Sequence, residues 1–203
     1  MNRSRTCRSF VHCGTVLALG LVATTPAIAA ERHVFDPDHT EIRFSWDHMG
    51  FSTTSAYFRD FDGALLYDED EPTNSEIDVT IDIAGIDTGR AEFTEHLLSD
   101  DFFDVDTYPD ARFVSREIHD QGDDRYAVDG ELTLHGTTRD VTLDVTINRI
   151  GENPISEART IGFDATTTVS RSAFGMGMYT PMVGDDVTIT ISAEMPRAAD
   201  LDD

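Results

Sequence analysis

Lysine is absent from this 203-residue sequence, cysteine occurs twice and tryptophan once. All 15 basic residues are therefore arginines, set against 39 acidic residues, and the formal net charge is −24. Such a chain repels the phosphates of nucleic acid and the headgroups of anionic membranes, which excludes both as partners. Its charges also repel one another, which disfavours the compact state unless salt screens them.

This excess of acidic residues is typical of a halophilic protein that works in a saline medium. We predict that the melting temperature rises between low and molar salt, because the screening length falls to a few ångström at high ionic strength. Thermal melts at several salt concentrations measure this. A melting temperature that does not change with salt would contradict the prediction.

The first 30 residues have the pattern of a signal peptide that is cleaved after export to the periplasm. An apolar run from Val16 to Val22 is followed by small residues at 27–30 and is too short to span a membrane. Three basic residues precede it: Arg3, Arg5 and Arg8. Both cysteines, Cys7 and Cys13, lie in this segment, so the remainder has no disulfide and carries a charge of −27 once the three arginines are removed. We expect one domain at 31–196 and a disordered acidic tail at 197–203.

Apolar and polar residues alternate through most of the remaining chain, which predicts strands with one buried face. Ile42, Phe44 and Trp46 form one such series, and similar series follow at 77–83, 126–134, 141–147, 161–169 and 187–191. Short turns rich in Asp and Gly separate them. Eight or nine strands with short connections predict an all-β fold, either a sandwich or a closed antiparallel barrel.

One segment departs from this alternation. Phe93 and Leu97 are four residues apart, the spacing of one face of a helix. Gly89 precedes them and an acidic stretch follows at 99–101, so we expect a single short helix of about two turns at 90–98.

Large apolar residues on the predicted strands are candidates for the wall of a ligand tunnel. An eight-stranded barrel can be filled by side chains or can hold one small ligand, so core packing remains the alternative for each residue taken singly. The candidate tunnel residues are Phe44, Trp46, Phe58, Phe113, Leu132, Phe163, Val169, Phe174 and Met176.

The segment 170–178 is rich in methionine and glycine, and its adaptable side chains suit a mouth over an apolar guest. Arg171 in that segment, together with His48 and His96, is a candidate for contact with a ligand headgroup. A solvated surface arginine is the alternative for Arg171.

Signals for catalysis and for metal binding are weak. The sequence 50–54 lacks the second glycine of a nucleophile elbow, and no cysteine remains after residue 30. The six histidines of the predicted domain lack zinc-type spacing, and 104–109 lacks the glycine of a calcium loop. We therefore expect no catalytic residues, no metal and no cofactor.

Several motifs, in order, resemble the YceI-like family of lipocalin-like, polyisoprenoid-binding exported proteins. They are Phe35-Asp36-Pro37-Asp38-His39-Thr40, Phe44-Ser45-Trp46-Asp47-His48-Met49-Gly50, Phe61-Asp62-Gly63, Ile86-Asp87-Thr88, His96-Leu97-Leu98, Gly130-Glu131-Leu132-Thr133-Leu134-His135-Gly136 and Ser170-Arg171-Ser172. The resemblance covers essentially the whole chain after residue 30. Ala56 and Ala173 depart from it, where the family often has glycine and an acidic residue.

The resemblance implies an extended antiparallel barrel of about eight strands, with one helix, an isoprenoid in its interior and a periplasmic location. We therefore expect a lipid-binding carrier or reservoir for a quinone tail or polyprenyl lipid. We expect no stable insertion into a membrane. The sequence leaves open whether the chain forms a homodimer. Two alternatives remain: a stress-response interaction module with a filled barrel, and a lipid-modifying hydrolase or isomerase with His48 or His96 as base.

Overall fold

The computed structural model describes residues 30–201, so residues 1–29 of the predicted signal peptide and the last two residues lie outside the described residues. One α-helix, α1, spans Ala91–Leu98. The strands are β1 (Glu31–Val34), β2 (Glu41–His48), β3 (Ser52–Phe58), β4 (Phe61–Tyr67), β5 (Glu76–Asp82), β6 (Ile86–Asp87), β7 (Asp110–Gly122), β8 (Arg125–Leu134), β9 (Thr137–Glu152), β10 (Arg159–Ser170) and β11 (Val183–Pro196). Within these residues no helix has the length and apolar character needed to cross a membrane.

All eleven strands belong to one antiparallel sheet in the order β1-β4-β5-β7-β8-β9-β10-β11-β2-β3-β6. Most neighbours in space are also neighbours in the chain, as short connections between antiparallel strands require. The all-β prediction is confirmed.

The sheet is curled, and several of its strands are interrupted. β3 and β4 are separated only by Arg59 and Asp60, which continue the pairing through bonds to Gly85 and Asp82. On one side of this bent strand lie β5 and β6, and on the other lie β1 and β2. The structure therefore has eleven strand segments where the sequence predicted eight or nine, and the difference arises because strands are interrupted.

Alternation along the strands places one face inside the barrel. On β2, the predicted residues Ile42, Phe44 and Trp46 are buried, whereas Arg43 is exposed. The strand series at 77–83, 126–134, 161–169 and 187–191 also lie on strands, apart from Ile83, which begins a 3₁₀ turn. A period of two was sufficient for these assignments because neighbouring side chains of a strand point to opposite faces.

The predicted helix is confirmed, and it lies near the β2–β3 end of the barrel. Leu97 is its buried residue, and Phe93 packs against the main core cluster. The chain after α1 folds back on it, because Phe103 and Val105 donate backbone hydrogen bonds to the carbonyls of Leu97 and Leu98. This places Phe103 under the helix, where 9% of it is exposed.

The predicted disordered tail is wrong for residues 197–201. The guanidinium of Arg197 donates to the carboxylates of Asp200 and Glu31, and a 3₁₀ turn spans Ala198–Asp200. Asp200 also accepts from the backbone N–H of Arg159 at 2.9 Å. The hydrogen bond from Arg197 lowers the pKa of Asp200. Composition alone did not reveal this, because Glu31 and Arg159 are distant in sequence.

His33 makes the stability of the fold sensitive to acid. The side chain is 1% exposed; Nδ1 donates to the carbonyl of Met195 at 2.9 Å, and the buried Nε2 has no partner. Burial lowers the pKa of His33 below its usual 6.5. The contribution of neutral His33 to the free energy of unfolding is therefore complete above pH 6.5. It decreases as the pH drops from 6.5 towards the lower pKa that His33 has in the folded protein. We expect the free energy of unfolding to fall between about pH 7.5 and 5.5 less in His33→Asn than in the wild type.

Urea unfolding at each pH measures the effect, and His39 supplies the matched control. The hydrogen bond that His39 donates to the carboxylate of Asp36 raises the pKa of His39, so this residue adds stability at low pH that is lost as the pH rises through the raised pKa. His39→Asn should therefore make the free energy of unfolding fall more steeply as the pH drops. Identical pH profiles for the wild type and His33→Asn would contradict the prediction.

Candidate functional site

The body of the barrel encloses an apolar cavity of about 160 Å³, which we call the barrel chamber. Its wall comes from the inward face of nine strands, β2–β5 and β7–β11, and includes Phe58, Phe113, Leu132, Phe163 and Ala165. In the described part of the chain this wall contains no charged side chain. The interior is therefore hollow at this level, and it offers a ligand only apolar contact over most of its length.

The few polar groups of the barrel chamber are hydroxyls. Tyr67, Ser75, Tyr126 and Thr167 contribute them. Burial raises the pKa of Tyr67 and of Tyr126, so both phenols stay neutral at physiological pH. The chamber consequently has no group that would pair with an ionic headgroup.

A second apolar cavity of about 340 Å³, the helix chamber, lies between α1, the 102–103 turn and strands β2, β3, β10 and β11. Three aromatic rings stack along its β2–β3 wall. Phe44 lies 4.6 Å from Phe58 and 5.6 Å from Trp46, measured between ring centroids. Phe103 meets Phe44 and Phe58 edge to face at 5.9 and 6.1 Å.

The two chambers adjoin each other, because Phe58, Leu134 and Ile189 line both. Ile189 pairs with Thr167 across β10 and β11, which places the shared wall at that level of the barrel. A chain-like ligand that passes these three side chains would lie in both chambers.

Gly130 helps to keep the barrel chamber open. The ring of Phe113 lies across this glycine, and an added Cβ would stand 2.5 Å from the ring and 2.5 Å from the carbonyl oxygen of Val114. With no side chain at 130, Phe113 rests against the sheet instead of projecting into the lumen. This gives a physical reason for glycine in the Gly130–Gly136 motif.

The structure divides the predicted site residues between the two chambers. The barrel chamber receives Phe58, Phe113, Leu132 and Phe163. The helix chamber receives Phe44, Trp46, Phe58, Val169 and Met176, together with His48, His96 and Arg171. Their contact with a ligand stays a prediction.

Phe174 differs from the expectation, because it lines neither chamber. Its side chain is 2% exposed and belongs to the main core cluster, and its carbonyl oxygen accepts a hydrogen bond from Nδ1 of His135 at 3.0 Å. The ring packs behind the wall because Phe174 ends a 3₁₀ turn rather than lying on a strand.

Arg171 is neither solvated nor free to move. Its side chain is 8% exposed, and its guanidinium donates to the backbone carbonyls of Met176, Val183 and Gly184. The alternative of a solvated surface arginine is therefore wrong. Burial lowers the pKa of Arg171, and this buried cation fixes the 171–184 segment against the helix chamber.

His48 and His96, the two candidate bases, are exposed residues at the helix chamber. The ring of His96 packs edge to face on Phe102 with centroids 4.9 Å apart. Among the described residues of this wall, serine, threonine and cysteine do not occur, and the hydroxyl that the wall does carry is the phenol of Tyr179.

Sequence reasoning did not select several wall residues. Phe93 of α1 lines the helix chamber, as do Phe102 and Phe103 of the 99–105 turn. That turn has no periodicity from which its buried residues could be predicted. Met49 and Tyr179 were also missed. Both lie in turns and have positive φ, a backbone feature that residue patterns do not reveal.

One group of side chains outside the chambers has metal-ligand chemistry. Asp36, His39 and Glu194 place their ligand atoms within 4.8 Å of one another. Nδ1 of His39 lies 2.7 Å from Oδ2 of Asp36, so this ion pair already occupies two of the three groups. Asp36 and His39 lie in the loop between β1 and β2, whereas Glu194 lies on β11, and this distance in sequence explains why spacing did not indicate the trio.

Comparison with known protein sequences gives consistent matches over most of the chain. Residues 33–195 match the model of the YceI-like domain family. A UPF0312 protein of Pseudomonas putida strain F1 is 39% identical over 163 residues, which is 79% of this chain and 84% of that protein. A UPF0312 protein of Photorhabdus laumondii is 34% identical over 178 residues, or 87% of this chain and 92% of that one.

Solved structures show the same architecture. BcnA of Burkholderia cenocepacia superposes with a TM-score of 0.72 at 29% identity, over 79% of this chain and 98% of that chain. The Campylobacter jejuni YceI protein superposes with a TM-score of 0.68 at 27% identity, over 74% of this chain and 89% of that chain. A polyisoprenoid binding domain from Saccharophagus degradans superposes with a TM-score of 0.61 at 14% identity, over 83% of this chain and 99% of that chain. At this low identity the similarity shows the fold alone.

Proposed function

The chain belongs to the YceI-like domain family, and from that premise we propose that it binds a long isoprenoid lipid, such as a quinone tail or a polyprenyl lipid, as a carrier or reservoir. The observation that carries the proposal is the pair of adjoining apolar chambers, which share Phe58, Leu134 and Ile189. Membership of the family supports a binding protein rather than an enzyme, and the proposed ligand agrees with the polyisoprenoid binding named for one solved domain of the same fold.

Apolar burial alone supplies enough free energy for tight binding. Each five-carbon unit gains roughly 4 kcal/mol on leaving water, at about 0.8 kcal/mol for each methylene equivalent. The nominal free energy of burying eight such units exceeds the ceiling of about 20 kcal/mol that non-covalent complexes reach. Ordering of the lipid chain and imperfect packing consume the excess. An ionic headgroup contact is therefore unnecessary, which agrees with the neutral wall of the barrel chamber.

The shape of the interior favours this function over the filled-barrel alternative. A barrel whose side chains met at its axis would leave no room for an alkyl chain, whereas these chambers have volumes of about 160 and 340 Å³. The proposed location is the periplasm, which follows from the predicted signal peptide. Fractionation of host cells, with detection of the processed chain, tests that location.

Native mass spectrometry of protein purified from its own host tests the proposed ligand. We expect one isoprenoid per barrel after mild extraction, and delipidated protein should take up an added isoprenoid. Fatty acid of similar length is the comparison ligand. Protein that carries no lipid from its host and takes up none in vitro would contradict the proposal.

A further inference from the structure

Five large apolar side chains are exposed together at the opening of the helix chamber. We call this set the mouth patch. Its members are Phe51, which is 88% exposed, Met182 (62%), Met49 (48%), Tyr179 (47%) and Met178 (39%). They make up five of the eight exposed large hydrophobic residues in the described part of the chain.

The mouth patch is continuous with the cavity. Met49 and Tyr179 belong to the patch and also line the helix chamber. The two segments that carry the patch meet where Val183 of β11 pairs with His48 of β2. A ligand that enters the helix chamber by this opening would cross the mouth patch first.

Charge is missing from the same two segments. Residues 48–58 and 172–184 contain no Asp, Glu, Lys or Arg, although these types make up 27% of the chain. Asp47 and Asp185 flank the segments, but each accepts local hydrogen bonds, Asp47 from Gly50 and Asp185 from Ser172. An apolar, uncharged area thus interrupts an otherwise strongly acidic surface.

These observations point to an uncharged lipid surface as the occupant. A second copy of the chain would bring another strongly acidic body against this one, and the two would repel each other. A neutral or zwitterionic bilayer adds no such charge, and its interface accepts exposed Phe, Met and Tyr side chains. We propose that the mouth patch docks the barrel on a neutral or zwitterionic bilayer, with the helix chamber open towards the lipid.

Docking would explain how a water-insoluble chain reaches the chamber without crossing water. In that respect the inference rests on the proposed function, although docking itself needs no isoprenoid. The acidic surface around the mouth patch limits docking to membranes of low negative charge, since anionic headgroups would repel that surface.

Flotation with phosphatidylcholine vesicles that contain no isoprenoid tests the docking. Replacing two patch residues, Phe51→Asp with Met182→Asp, should weaken vesicle binding at least about tenfold, because two carboxylates would have to enter the interface. The matched control is Ile155→Asp, which places a carboxylate at a residue that is 92% exposed but outside the patch. This control should bind as the wild type does. Adding phosphatidylglycerol to the vesicles should reduce binding at low salt, and high salt should restore it.

A parallel measurement separates this inference from the proposed function. Isoprenoid uptake from detergent micelles should be unchanged in the double variant, because neither Phe51 nor Met182 lines a chamber. Wild-type protein that takes up isoprenoid but fails to float with vesicles overturns the docking and leaves the function intact. Protein that floats but takes up no isoprenoid overturns the function and leaves docking supported. A wild-type dimer that the double variant dissociates, without vesicle binding, would overturn the docking and assign the patch to an interface between copies.

Discussion

Ala165→Trp is expected to lower the affinity for a forty-carbon isoprenoid at least about a hundredfold while the barrel stays folded. Ala165 lines the barrel chamber, and its neighbours in register, Val145 and Ile191, line it too. It lies two residues from Thr167, which pairs with Ile189 at the wall shared by the chambers. An indole at this level would fill the lumen and leave only the helix chamber for the ligand.

The reason for so large an effect is the length of chain that loses burial. Several five-carbon units would have to stay in water, each at a nominal cost of roughly 4 kcal/mol, so even a small fraction of that sum exceeds a hundredfold. A fifteen-carbon isoprenoid should bind Ala165→Trp much as it binds the wild type, since the helix chamber is unchanged. Isothermal titration from micelles with both chain lengths measures the difference.

Asp164→Trp is the matched control for this prediction. Residue 164 is exposed on the outer face of the same strand, so the same ring is added outside the barrel. It should bind the long isoprenoid normally. If tryptophan at 165 lowers the melting temperature sharply, Ala165→Leu narrows the lumen with less strain. A folded Ala165→Trp protein with undiminished long-chain affinity would show that the ligand does not occupy the barrel chamber.

Arg171→Met is expected to lower the free energy of unfolding by about 3 kcal/mol. The guanidinium of Arg171 donates to the carbonyls of Met176, Val183 and Gly184, so its removal leaves three backbone acceptors without their partner. Each acceptor left unpaired inside the protein costs about 1–3 kcal/mol, and partial access of water keeps the total near the lower end. The loss should appear as a lower urea midpoint with little change in the slope of the transition.

Arg139 provides a matched control because it also donates to a backbone carbonyl, that of Ala173 at 3.2 Å, but from an exposed site. Arg139→Met should change the free energy of unfolding by no more than about 0.5 kcal/mol. Arg171→Lys should recover only part of the loss, since one ammonium does not match the fork of the guanidinium. Equal midpoints for Arg171→Met and Arg139→Met would contradict the structural role assigned to Arg171.

The strands and the helix could be predicted because their signals are local. Alternation in Ile42, Phe44 and Trp46 reports which side chains share a face, and the spacing of Phe93 and Leu97 reports a helical turn. The interruptions at Arg59–Asp60 and at the 3₁₀ turn before β6 could not be predicted in the same way. They depend on pairing between strands, which the order of residues along one strand does not specify.

The candidate site was predicted in part, for a related reason. Period-two alternation placed Phe44, Trp46 and Phe163 on one face of their strands, and that face lines the chambers. Phe174 was selected for its aromatic side chain and not by alternation, and it lies in a 3₁₀ turn and packs behind the wall. The tail at 197–201 failed for another reason: the partners that hold Arg197 and Asp200 include Glu31 and Arg159, which are remote in sequence.

The sequence by itself determined the all-β class, the inward face of most strands, the short helix and the strongly acidic surface. Each of these is a property of neighbouring residues or of a simple count. Only the tertiary structure decided that the inward side chains leave two adjoining hollows, that Arg171 is buried among backbone carbonyls and that an uncharged patch surrounds the opening. The physical reason is that alternation states which way a side chain points, whereas a void depends on how far apart the opposite walls stand, and closure of the barrel sets that distance.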